Sequence, residues 1–210
     1  GAARHLARAD ARVAAIVGCG RQGRIQLAAL GRVRALERAY AVDADPAVAR
    51  RFAEEMSTRL GLDVRSAGGL AEVAPLADIC VTCTPSRAPL LGREHVVPGT
   101  FIAAVGADDE DKQELDPELM AAGTVVVDSL EQCASIGDLH HAIARGVLSP
   151  VDVHATLADV VTGRKPGRRS AGEITIFDST GVAVEDVAAA AAVFEKAIAT
   201  GRGLTVDLAS

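Results

Sequence analysis

Val13-Ala14-Ala15-Ile16-Val17-Gly18-Cys19-Gly20-Arg21-Gln22-Gly23 decides the fold. The first five residues are wholly apolar, the pattern of a strand buried on both faces. Three glycines follow at once in GxGxxG spacing, and Ile25, Leu27, Ala28, Ala29 and Leu30 supply the apolar side of a helix. Gly18 permits a tight turn, Gly20 lets a pyrophosphate approach the backbone, and Gly23 lets helix and strand pack closely. The helix start then offers N–H groups and the positive end of its dipole to phosphate. Alone the motif is weak, and a turn of purely packing value is the alternative. Its context gives it meaning: Arg38 to Val42 reads as a second strand ending in Asp43, 20 residues after Gly23.

Asp43 can accept hydrogen bonds from both hydroxyls of an adenosine ribose and would repel a 2′-phosphate, which favours NAD over NADP. Asp45 already fills the N-cap role before Pro46, so Asp43 is not needed as a cap. Arg50 and Arg51 on the next helix temper the preference, because a swung arginine accepts a phosphate.

Outward from this unit, the apolar face Val48, Phe52, Met56, Leu60 predicts a helix stopped by Gly61. Strands are predicted over 63–66, 78–84, 100–105, 124–127 and 174–177, with a short candidate over 204–208. Helices are predicted over 70–76, after Asp116-Pro117, over 136–145, 153–162 and 183–200. Alternating elements with continuous apolar strands imply an α/β fold, a doubly wound, mostly parallel sheet of the Rossmann type.

Composition excludes several classes. The chain has 210 residues, a net charge of −6, 2% aromatic residues and no Trp, which argues against nucleic-acid partners. No apolar run approaches the roughly 20 residues of a membrane span. Cys80 and Cys83 form a CxxC, but odd spacing in a strand places them on opposite faces, and no second pair completes a metal site. Arg164, Lys165, Arg168 and Arg169 read as a solvated basic loop, and His140 and His141 lack metal-ligand spacing. The chain begins at Gly1, and Gly1 to Asp10 reads as a helix that has lost its beginning, with Arg4, Arg8 and Arg12 at helical spacing. A processed, cut or incomplete chain is the expectation.

Further motifs carry a resemblance: VGCGRQG (Val17 to Gly23), ADICVTCTPSRAPLL (Ala77 to Leu91), PGTFIAAVGADDEDKQELDPEL (Pro98 to Leu119), VVVDSLEQC (Val125 to Cys133), GDLHHAI (Gly137 to Ile143) and EITIFDSTGVAVED (Glu173 to Asp186). Over nearly its whole length the chain resembles the ornithine cyclodeaminase/mu-crystallin family. That resemblance implies a Rossmann domain joined to a second domain that binds substrate and makes a homodimer.

It also implies where the chemistry sits. Asp108 matches the catalytic carboxylate; a surface acid in the run Asp108-Asp109-Glu110-Asp111 is the alternative reading. Asp109 to Asp111 depart from the Pro-Gly of some cyclodeaminases, which weighs against ornithine as substrate. Cofactor contacts are implied at Gly18, Gly20, Arg21, Gln22, Gly23, Asp43, Thr82, Thr84, Pro85, Ser86, Val105, Ser179 and Gly181. Turn chemistry at Thr82 to Ser86, and helix capping by Asp178 and Ser179, are the alternatives there. The family's catalytic lysine and carboxylate-binding arginines lie upstream of the Rossmann part, and nothing in Gly1 to Arg12 matches them.

The expected organisation is an upstream-helix remnant over 1–12, an NAD-binding domain over 13–181, and a helix and strand over 182–210. The resemblance implies NAD-dependent hydride transfer at Cα of an amino acid or cyclic imine, by a cyclodeaminase, a dehydrogenase or a reductase. A non-catalytic nucleotide-binding module like mu-crystallin is the rival. A cytoplasmic location is expected. The chain by itself is expected to bind nucleotide without turning over amino acids.

Overall fold

In chain order the elements are α1 (Ala3–Leu6), β1 (Val13–Val17), α2 (Arg21–Leu30), β2 (Arg38–Val42), α3 (Pro46–Leu60), β3 (Asp63–Ser66) and α4 (Leu70–Val73). Then come β4 (Ile79–Thr82), β5 (Arg87–Leu91), β6 (Phe101–Ala104), β7 (Gln113–Leu115), α5 (Pro117–Ala122) and β8 (Thr124–Val127). The chain continues through α6 (Leu130–Ile136), α7 (Asp138–Ala144), β9 (Ala155–Thr156), α8 (Leu157–Val161), β10 (Thr175–Asp178) and α9 (Ala183–Thr200). This computed structural model describes residues 1–206, the side chain of Glu185 excepted, as two units, Gly1–Thr180 and a second from Gly181 onward.

Eight strands form one parallel sheet in the order β3-β2-β1-β4-β6-β10-β8-β9. The chain runs outward from β1 to β3, then crosses back to place β4 beside β1, so the order reverses between them. Ligands of open α/β sheets bind at the carboxyl ends of strands at such a point. Register makes this edge flush: Val17 lies beside Val42 and Thr82, Thr82 beside Ala104, and Ala104 beside Asp178. Gly18, Asp43, Cys83, Val105 and Ser179 therefore leave the sheet at one level.

Period-two alternation sends successive side chains to opposite faces. Ile16, Phe101 and Phe177 join Leu27, Phe52 and Met56 in one core, while Val17, Ile102 and Ile176 join Val73, Leu119 and Met120 in the other. Asp45 accepts from the Ala47 N–H to cap α3, and Gly61 ends it at φ +63°. Asp116 caps α5 in the same way through the Glu118 N–H.

Several expectations need correction. The helix of Gly1 to Asp10 shrinks to α1, because Ala7 is already extended; Arg8 and Arg12 are not helical. Leu6 is fully buried, so this segment is part of the first unit's core. The helix expected over 136–145 is α7, which starts only at Asp138; an unpredicted helix, α6, precedes it, and Gly137 separates the two. A Cβ there would stand 2.7 Å from Asp178 Oδ2, which instead accepts the Leu139 N–H at 2.9 Å. The helix over 153–162 gives way at its start to β9, paired with β8, and Thr156 caps the shorter α8.

The basic loop is not simply solvated. Arg168 reaches inward and donates to Leu6 O at 2.7 Å, to Thr175 Oγ1 at 2.8 Å and to Thr100 O at 3.2 Å, and burial lowers its pKa below the usual arginine range. Arg34 likewise donates to the carbonyls of Ala3 and Ala7, both at 2.8 Å. A small second sheet, β5 with β7, lies outside the predicted elements. In the second unit, α9 matches its predicted bounds and Gly201 ends it at φ +62°. Leu204 to Val206 form no strand, and the rest of the strand expected over 204–208 lies outside the described residues. Among the described residues no helix is long and apolar enough to cross a membrane.

Candidate functional site

A cleft of about 630 Å³ opens at the carboxyl edge where the strand order reverses. Gly18, Gly20 and Asp43 line one side, and Thr84, Pro85 and Ser86 the other. Leu70 and Leu90 add apolar surface. The residues singled out around the two βα turns thus come together in one place.

The three glycines do different work. Gly18 takes φ +97°, and a Cβ there would lie 2.7 Å from Cys83 O. A Cβ at Gly23 would lie 2.3 Å from Gly18 O. Both positions are closed to larger residues by the fold itself. At Gly20 nothing lies within 4 Å of a Cβ, so the space over it is open to a ligand. Gly20 is the N-cap of α2, and no side chain caps this helix. Its first N–H groups, around the exposed Arg21 and Gln22, face the cleft end of the helix with their positive partial charge.

Two side chains hold the turn in this form. Asp43 accepts the Cys19 N–H at 2.8 Å through Oδ2 and the Asp45 N–H at 3.0 Å through Oδ1. A carboxylate offers about four acceptor sites, so capacity for two hydroxyls is left. Arg24 donates to the carbonyls of Cys19 and Gly20, pairs with Glu55 at 2.8 Å, and lies 5.4 Å from the centre of the Phe52 ring. With the turn's carbonyls taken by Arg24, its remaining donors are free to face an anion. Sequence reasoning missed Arg24; its position one residue past the motif was the available signal.

The remaining candidates are placed as follows. Thr82 is fully buried beneath the cleft, and its hydroxyl does not line it. Val105 is half-buried and donates its N–H to Thr82 O at 2.9 Å. Ser179 donates to Asp128 Oδ2 at 2.9 Å. Gly181 belongs to the second unit and takes φ +80°. Asp108 stands in the loop after β6, outside the lining of the cleft, with its side chain 58% exposed and paired with Lys112. His141 Nε2 lies 2.8 Å from Lys112 O and so holds the far end of this loop.

Four cysteines are free thiols. Cys80 is buried in β4, whereas Cys83 lies just beyond the strand end and contacts Gly18 O at 3.1 Å. Burial pushes Cys19, Cys80 and Cys83 up to about 12, which leaves them poor nucleophiles. Among the described residues no group of His, Cys, Asp or Glu could hold a metal ion.

Of three buried carboxylates near the carboxyl edge of the sheet, Glu114 and Asp138 escaped sequence reasoning, whereas Asp178 was read as a possible helix cap. Glu114, Asp138 and Asp178 are each fully buried. Burial raises all three above the usual carboxylate range, Asp178 to about 7, and the charge of Asp178 raises Asp138 further. Asp178 accepts the Asp138 and Leu139 N–H groups, so it does cap a helix, though one 40 residues earlier in the chain.

A parallel sheet in this order, with a glycine turn at its switch point and an acid after β2, defines a Rossmann-type nucleotide-binding fold. The sequence model of the ornithine cyclodeaminase/mu-crystallin family matches residues 2–201, and the chain belongs to that family. It is 43% identical over 202 residues to alanine dehydrogenase of Archaeoglobus fulgidus, covering 96% of this chain and 62% of that protein. The structure of Thermococcus litoralis Δ1-pyrroline-2-carboxylate reductase in complex with NADH and L-proline superposes with a TM-score of 0.95 at 38% identity, over 98% of this chain and 64% of that one. The iminosuccinate reductase of Paracoccus denitrificans, in complex with NAD⁺, gives 0.92 at 38% identity, over 99% and 63%. The chain thus spans just under two thirds of the length of these relatives.

Proposed function

We propose that this chain is the NAD-binding part of an oxidoreductase that transfers hydride at Cα of an amino acid or cyclic imine. The observation that carries this is the open space over Gly20 between the uncapped start of α2 and Asp43. It fits a pyrophosphate beside a ribose. Gly18, Gly20, Gly23 and the first turn of α2, with Arg21 and Gln22, would hold the phosphates, and Asp43 the adenosine ribose. Thr84, Pro85, Ser86 and Val105 would line the path of the other half, with Ser179 beyond.

When bound, the nicotinamide supplies a hydride acceptor or donor. Asp108 is assigned as acid–base residue: its carboxylate takes a proton from the substrate amine, or from a water that attacks the imine carbon. Its pair with Lys112 is exposed and therefore weak enough to exchange for a substrate ammonium. The relatives named above favour a dehydrogenase or reductase over a cyclodeaminase, which would add attack by the side-chain amine and loss of ammonia. The partners of the whole protein are then a small amino or imino acid and a second copy of itself.

The test is calorimetric titration of the chain and of Gly20→Val with NAD. The fold leaves room for the new side chain, so the variant should fold and lose NAD. Equal binding by both would refute the site.

A further inference from the structure

Glu114 sits on β7, fully buried, yet it serves neither strand nor core. Its Oε1 accepts the Thr84 N–H at 2.6 Å and the Thr84 hydroxyl at 2.8 Å. Its Oε2 accepts the Gly106 N–H at 2.9 Å. Thr84 belongs to the segment after β4 that lines the cleft, and Gly106 opens the loop after β6 that carries Asp108. One carboxylate therefore joins the two loops.

The surroundings are built to keep it there. A Cβ at Gly106 would stand 2.6 Å from this carboxylate and 2.4 Å from Thr84 O, so only glycine admits the contact. The strand is clamped on both flanks. Gln113 N–H donates to Ser86 O at 2.8 Å, and the Glu114 and Leu115 N–H groups both donate to Asp138 Oδ1 at 2.9 Å. Burying a carboxylate is costly unless its oxygens are hydrogen-bonded, and here both oxygens are used on backbone at the site.

We propose that Glu114 is a positioning residue: by tying Thr84 to Gly106 it fixes the nicotinamide-side wall of the cleft relative to Asp108. This rests on the NAD reading. Asp43 and the α2 start lie over β2 and β1, so the adenosine and phosphates belong there. The other half of the dinucleotide must extend over β4 and β6, which is where Glu114 acts. Its removal should be felt by one half of the ligand and not by the other.

That split gives the experiment. Wild type, Glu114→Gln and Glu114→Asp are titrated with NAD and with ADP-ribose, which lacks the nicotinamide. Glutamine has one acceptor oxygen and one NH₂, so one loop must lose its partner. Aspartate keeps the charge but is a methylene short of reaching both loops, and it covers the case in which the glutamine variant folds poorly. The expected result is unchanged ADP-ribose affinity and NAD affinity weakened roughly 10-fold, as for loss of a charge-assisted hydrogen bond. Parallel loss of both ligands would make Glu114 a general stability residue and overturn the assignment, as would no loss of either. If wild type binds neither ligand, the NAD reading itself has failed, which is seen before any variant is compared.

Discussion

Asp43 accepts the backbone N–H of Cys19 at 2.8 Å, so the acid that ends β2 also holds the glycine turn that ends β1. The residue assigned to the ribose is thereby part of the scaffold that presents the phosphate donors. Asp43→Ala should leave the Cys19 and Asp45 N–H groups without this acceptor, costing about 1–3 kcal/mol of stability. It should also weaken NAD and narrow the gap to NADP. Calorimetry with both nucleotides checks this; an unchanged ratio of affinities would remove Asp43 from the ribose site.

The glycines separate structure from function. Gly18→Ala and Gly23→Ala place a Cβ against backbone and should each lower stability by about 1–3 kcal/mol. Gly20→Ala should leave the melting temperature unchanged. Thermal denaturation of the three variants decides it, and a drop at Gly20 like that at Gly18 would mean the turn needs all three for folding.

The buried acids make stability depend on pH. Asp138 and Asp178 have pKa values raised in the folded state, so folding takes up protons. Stability then falls as pH rises from the ordinary Asp range toward about 7, the value for Asp178. Asp159 and Glu173, both lowered to about 2, act in the opposite sense but only below the ordinary acid range, and so contribute a constant above it. Asp138 uses only Oδ1, and its Oδ2 has no partner among the described residues, so asparagine can keep both hydrogen bonds. Asp138→Asn should lose less stability than wild type between about pH 5 and 8. Urea denaturation at both pH values measures it, and equal slopes would count against the raised pKa.

Arg168 is a buried tie between the chain start and the sheet. Arg168→Ala strips partners from Leu6 O, Thr100 O and Thr175 Oγ1 and should cost about 3 kcal/mol. Arg168→Lys should recover little, because one ammonium cannot span the fork. Chemical denaturation tests both, and a loss below about 0.5 kcal/mol, the ordinary scale for a surface change, would mean the loop is solvated after all.

Where the protein shows amino-acid-dependent NADH formation, Asp108→Asn should leave NAD binding intact and slow turnover by roughly 10²–10⁴-fold. Asp111→Asn, which breaks only an exposed pair with Arg87, should do little. Steady-state kinetics on the two variants makes the comparison, and equal rates for Asp108→Asn and wild type would leave Asp108 as a loop acid.

What could be read from sequence was local. β1, the glycine turn, α3 with its Asp45 cap and Gly61 stop, and α9 each declare themselves within a few residues, through periodicity or a backbone requirement. What could not be read depends on distant partners. Arg168 looked solvated because Leu6 and Thr100 are remote in sequence. The chain breaks at Gly137 because Asp178, on β10, takes the N–H groups of Asp138 and Leu139 at the start of α7. β5 and β7 are short, carry Pro89 and charged residues, and among the described residues pair only with each other. Glu114 follows the acidic run of Asp108 to Asp111, where one more acid reads as surface; its burial comes from the fold bringing Thr84 and Gly106 to it.

NAD is proposed to bind in the cleft between Gly20, Asp43 and Thr84. Titrating the chain with NAD and NADP side by side in a calorimeter tests it most directly. One NAD site per chain is expected, with binding of NADP weaker by roughly 10-fold or more, since Asp43 repels a 2′-phosphate. Absence of NAD binding, or tighter binding of NADP, would contradict it.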